Sequence, residues 1–147
     1  MSQEARDQLV ASANTVFQDD SQRADLKSPA LTQTDLIALL IDLCETKEHA
    51  VEFTAIKSDH HDDRNLGEHC HYNGWCADLW PLASTTAGDY LDAGDPRFQA
   101  FLRDVAAAPH LYQIGLAGSA WTEDNVAAAG DSVFQDDGGD HVHVGAQ

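Results

Sequence analysis

A chain of 147 residues, 43% hydrophobic, is long enough for one core and too short for two full domains. Its formal net charge of −17 repels nucleic acid and anionic lipid, which excludes both as natural partners, and argues against tight docking on an anionic cell envelope. No apolar run is long enough to span a membrane.

The N-terminus, Met1-Ser2-Gln3-Glu4-Ala5-Arg6-Asp7, lacks a basic-then-apolar leader, so the expectation is a chain made in, and kept in, a cytoplasm. Leu9, Val10, Ala13, Val16 and Phe17 fall at helical spacing and predict a helix over 3–17. Phe17-Gln18-Asp19-Asp20 recurs as Phe134-Gln135-Asp136-Asp137, which reads as coincidence because nothing around it repeats at a regular period. Thr32, with Asp35 three residues later, is the expected cap of a second, largely apolar helix over 33–46, and Cys44 belongs to its buried stripe.

Val51 to Ser58 alternates and is rich in β-branched and aromatic residues, hence a strand. Asp59 to Tyr72 is a polar loop full of His, Asp and Asn; Trp75 to Trp80 is a second strand, and 82–94 is loop. Asp95-Pro96 opens an amphipathic helix carrying Phe98, Phe101, Leu102 and Val105. Leu111 to Leu116 is a strand, a short helix begins near Thr122, and Gly138-Gly139 turns into a last strand at His141 to Val144. The expected fold is α+β: N-terminal helices packed on a small antiparallel sheet carrying a zinc site, one domain over 1–147, with a helical part at 1–49 and a metal-site part at 50–147.

Three cysteines are too few, and odd in number, for a disulfide framework; a Cys70–Cys76 bridge is the minor alternative, suited to an oxidising compartment. The chemistry concentrates in His71-x-x-Gly74-x-x-x-Asp78 and Asp140-His141-Val142-His143. Strand alternation points Cys76, Asp78 and Trp80 to one face and Ala77 and Leu79 to the other. A lone aspartate among such apolar neighbours needs a cation or several hydrogen-bond donors. His141 and His143 share a face of the last strand, and Asp140 stands where a carboxylate can reach a metal-bound water as a general base without being a ligand. The bland alternatives are a loop histidine, an aspartate bonded to backbone amides and a solvated turn at Asp140. A closed site of His69, Cys70, His71 and Cys76 has cramped spacing that matches no common zinc pairing. Trp75, Trp80 and Trp121 are core residues by default, any of which could line a groove. The Asp19-Asp20, Asp62-Asp63 and Asp136-Asp137 pairs read as solvated loop charges.

These residues resemble the zinc peptidases of the D-alanyl-D-alanine carboxypeptidase type, a group that includes phage L-alanyl-D-glutamate endolysins and shares its metal core with the hedgehog signalling domain. The resemblance covers about residues 50–147. It implies zinc on His71, Asp78 and His143, a catalytic carboxylate at Asp140 and peptidoglycan stem peptide as substrate, with action at the cell wall. His141 is the candidate for steadying the oxyanion, and Lys57, Ser58 and Arg64 are the candidates for holding substrate. The chain departs from the family pattern at His69, where a serine is usual, and at Cys76, where an alanine is usual. Two other readings are carried alongside: a non-catalytic zinc module of the same fold, and a metal-free acidic protein whose polar loop binds a partner.

Overall fold

The computed structural model describes residues 1–58, 70–116, 118–130, 133–135 and 141–147. Among them lie five α-helices, α1 (Gln3–Ala11), α2 (Asp20–Lys27), α3 (Thr34–Ile41), α4 (Pro96–Ala106) and α5 (Glu123–Ala129). Six strands accompany them: β1 (Thr15–Phe17), β2 (Val51–Ala55), β3 (Cys76–Pro81), β4 (Leu111–Leu116), β5 (Val133–Gln135) and β6 (Val142–Ala146). The fold is α+β, as expected, but the sheet is mixed. In the order β1-β2-β3-β6-β4-β5, the middle four strands run antiparallel, while β1 is parallel to β2 and β5 is parallel to β4. No described helix is long and apolar enough to cross a membrane.

The expected helix over 3–17 divides in two. α1 stops at Ala11 with Ser12 extended, and Thr15, Val16 and Phe17 form β1 beside Val51, Glu52 and Phe53. The β-branched pair Thr15-Val16 packs better on a pleated edge than in a helical turn, so tertiary pairing overrides the weak helical period. The apolar helix begins with Gln33 at its cap, and its last turn widens into a π-helical segment at Asp42–Thr46. Thr32 is not that cap. It is buried under Arg6, whose guanidinium donates to Thr32 Oγ1 at 2.8 Å and to the carbonyls of Leu26, Ser28 and Thr32 at 2.9, 3.2 and 2.8 Å. Burial lowers the Arg6 pKa from its ordinary value. Four acceptors on one guanidinium hold the α2–α3 connection in a single shape.

α4 starts as its sequence indicates, with Asp95 accepting from the Arg97 amide at 2.8 Å and Pro96 in the first turn. α5 is capped by Thr122, whose hydroxyl accepts from the Asn125 amide at 3.1 Å. One buried apolar cluster joins Leu9, Leu26, Leu36 and Leu40 from the first three helices, Phe98 and Phe101 from α4, and Phe53, Leu79, Val142 and Val144 from the sheet. Cys44 lies in this core as a free thiol, and burial, helped by the negative charge of Glu45, pushes its pKa up to about 12.

Candidate metal centre

The central pair β3–β6 builds the site. Their register sets Ala77 opposite Val144, Asp78 opposite His143 and Leu79 opposite Val142. Directly opposed residues share a face, so the core-facing partners come as apolar pairs and the other face receives a carboxylate beside an imidazole. On the far side of β6, Gly115 of β4 stands opposite His143, a position with no side chain to crowd the ring.

His71 arrives from the loop before β3. Gly74 has φ of +76°, and a Cβ there would stand 2.2 Å from the Leu31 carbonyl oxygen, so both the turn and the close approach require glycine. Gly74 also accepts from the Gln33 amide at 2.9 Å and donates to the His71 carbonyl at 3.0 Å, which seats the loop on the connection organised by Arg6. Cys70 and Cys76 are joined by a disulfide across this loop, their Cα atoms 5.3 Å apart. The bridge, the minor alternative from sequence, is made feasible by the turn that the Trp75 amide closes on the Cys70 carbonyl at 2.8 Å.

His71, Asp78 and His143 meet almost fully buried, their side chains 6%, 5% and 5% exposed. His71 Nε2 is 3.2 Å from His143 Nδ1 and 3.2 Å from Asp78 Oδ1; His143 Nδ1 is 3.1 Å from the same oxygen. Three nitrogen and oxygen ligands around a tetrahedral zinc stand about 3.3 Å apart. The rings are tied from behind. His71 Nδ1 donates to the Ile56 carbonyl at 3.0 Å, and His143 Nε2 faces Gln113 Oε1 at 3.1 Å, where it donates in turn. Each ring proton is thereby spent outward, and the remaining lone pairs converge with a carboxylate oxygen in a buried space. A divalent cation between the three atoms would be held by all of them at once. Among the described residues this cluster has three ligand atoms, the number that a catalytic tetrahedral zinc takes from its protein.

His141 sits at the lip. Its Nε2 is 3.5 Å from Asp78 Oδ1, and its side chain also lines a groove of about 560 Å³. Trp80, Tyr90, Leu91, Asp92 and Ser119 are among the other walls, and none of the described lining residues is Lys or Arg. The groove is built by specific ties. Trp80 Nε1 donates to the Leu91 carbonyl at 2.8 Å, buried Glu52 accepts from the Gly88 amide at 3.2 Å and from the Tyr90 hydroxyl, and Asn125 Nδ2 binds the carbonyls of Ala93 and Ala120 at 2.9 and 2.8 Å.

The structure thus brings His71, Asp78, His143 and His141 together. It gives Lys57 and Ser58 other partners: Lys57 Nζ donates to the Tyr72 carbonyl and lies over the Tyr72 ring, while the Ser58 amide and hydroxyl bind buried Asp25 at 2.7 and 2.5 Å. Arg64, His69 and Asp140 lie outside the described residues, as do His60, His61, Asp62-Asp63 and Asp136-Asp137. Trp80 takes the groove, whereas Trp121 packs on the core with Nε1 on the Leu116 carbonyl at 3.1 Å. Sequence reasoning missed Gln113, the acceptor behind His143; no motif marks it, because it is set there by register in a neighbouring strand. Comparison with family models, with curated proteins and with solved structures finds no match to this chain.

Proposed function

We propose that this chain is a zinc-dependent peptidase acting on peptidoglycan stem peptides, as a phage or bacterial wall hydrolase of the resembled class. The observation that carries the reading is the convergence of three buried lone pairs beside an open groove with a histidine at its lip. His71, Asp78 and His143 would hold zinc, which when bound supplies an activated water and polarises the scissile carbonyl. The substrate backbone lies along the groove wall formed by Trp80, Tyr90 and Leu91, with its scissile amide at the His141 end. His141 donates a hydrogen bond to the carbonyl oxygen as negative charge develops there. Asp140, next to His141 in the chain, accepts the water proton and returns it to the leaving amine. The outward hydrogen bonds to Ile56 and Gln113 keep both ligand rings in the required tautomer throughout.

The reading is tested on purified peptidoglycan with zinc-loaded protein. Wild type is expected to release new amino termini, and Asp140→Asn to lose at least about 100-fold in rate, the usual scale of a general base, while keeping its zinc. A zinc-loaded wild type that cuts no wall preparation would sink the peptidase reading. The lack of a cationic residue among the described groove walls favours a second one, a zinc-holding binding module of the same fold, for which that negative outcome is expected.

A further inference from the structure

The ligand histidine has a second face, and it is occupied by sulfur. Cys70 Sγ stands 3.4 Å from His143 Nε2, the nitrogen turned away from His71 and Asp78. Cys76 Sγ lies 3.8 Å from Gln113 Oε1, which is itself 3.1 Å from that nitrogen. Gly145, opposite Cys76 in the register, makes the room: a Cβ there would come within 2.9 Å of Cys76 Sγ and 3.3 Å of Gln113. Cys70, Cys76 and His143 therefore form a second buried group of donors within metal-binding reach, back to back with the first.

We propose that reduction of the Cys70–Cys76 bond creates a thiolate-rich site for a soft divalent metal, made of Cys70 Sγ, Cys76 Sγ and His143 Nε2 with Gln113 Oε1 as the nearest fourth donor. A dithiol reductant supplies two electrons and two protons, the S–S bond opens to two thiols, and the reductant leaves as its cyclic disulfide. A divalent metal then displaces both thiol protons. Two sulfurs on one tetrahedral ion stand about 3.8 Å apart, from two bonds of about 2.3 Å. Cα atoms 5.3 Å apart allow that separation by side-chain rotation. A neutral imidazole has one lone pair, so His143 serves either the carboxylate side through Nδ1 or the sulfur side through Nε2. Thiolates outbid a carboxylate for soft metals, and the redox state of the bridge selects the side on which the metal sits. The inference stands apart from the peptidase reading, since it concerns only where a metal is held.

The probe is Co²⁺ at one equivalent, added without oxygen to the full chain in its oxidised and dithiol-reduced forms, after the reductant is removed. The reduced chain is expected to show the near-ultraviolet thiolate-to-cobalt band and the oxidised chain to lack it, with one Co²⁺ bound in each. Asp78→Ala should keep the band on reduction, and Cys70→Ser with Cys76→Ser should lose it. A reduced wild type that unfolds, or binds Co²⁺ without the band, overturns the proposal. So does a band that survives the double serine change, which would assign it to Cys44, or one left unaltered by His143→Ala.

Discussion

At the scale of single residues, the candidate site is decided by where protons are sent. The Ile56 carbonyl and Gln113 Oε1 each take the proton of one ligand ring, at 3.0 and 3.1 Å, which aims both remaining lone pairs at Asp78. Gln113→Ala removes one of these acceptors without touching a ligand. Zinc affinity, measured by competition with a chelating dye, should fall by about 10–100-fold, the usual effect of losing a ligand's hydrogen-bond partner; an unchanged affinity would show that Gln113 does not orient the ring. Asp78 was legible from sequence because an aspartate inside Trp-Cys-Ala-Asp-Leu-Trp asks for a cation, and His143 because histidines two apart on a strand share a face; that His71 joins them was implied by the family resemblance. Gln113 was not, since its neighbourhood arises only when β4 pairs with β6.

At the scale of elements, the loop from Cys70 to Trp75 is the part that local chemistry constrains most. It carries His71, is bridged by the disulfide and crosses the Leu31 carbonyl at the one residue that has no Cβ. Gly74→Ala combines a left-handed backbone with a 2.2 Å clash, and should cost about 2–3 kcal/mol or more. Urea unfolding checks this; a midpoint equal to that of wild type would contradict the described loop. α4 was readable to its cap because Asp95-Pro96 is local chemistry. β1 was not, because its strand character comes from pairing with β2 across more than thirty residues of chain, which no helical or alternating period announces. The same applies to the mixed sheet. The Phe-Gln-Asp-Asp repeat extends one way to Thr15-Val16 and Ser132-Val133, and both copies supply an edge strand lying parallel to its neighbour, β1 and β5.

At the scale of the whole molecule, a net charge of −17 surrounds a site that itself holds a carboxylate and two imidazoles. That field concentrates cations at the surface and opposes anionic polymers, so metal capture is favoured while approach to an anionic wall is not. The groove follows the same logic: its described walls offer aromatic rings, hydroxyls, amides and Asp92, and no cation for a substrate carboxylate. On the proposed peptidase reading, peptide recognition there would rest on backbone hydrogen bonds and aromatic contact more than on charge pairing.

Metal content of the purified, folded chain, by elemental mass spectrometry beside Asp78→Ala and His143→Ala, tests the central claim most directly. About one zinc per wild-type chain is expected, from three ligands and one open position, with the metal lost in both variants. A wild type that stays folded yet takes up no zinc after reconstitution, or variants that keep it, would contradict the metal centre.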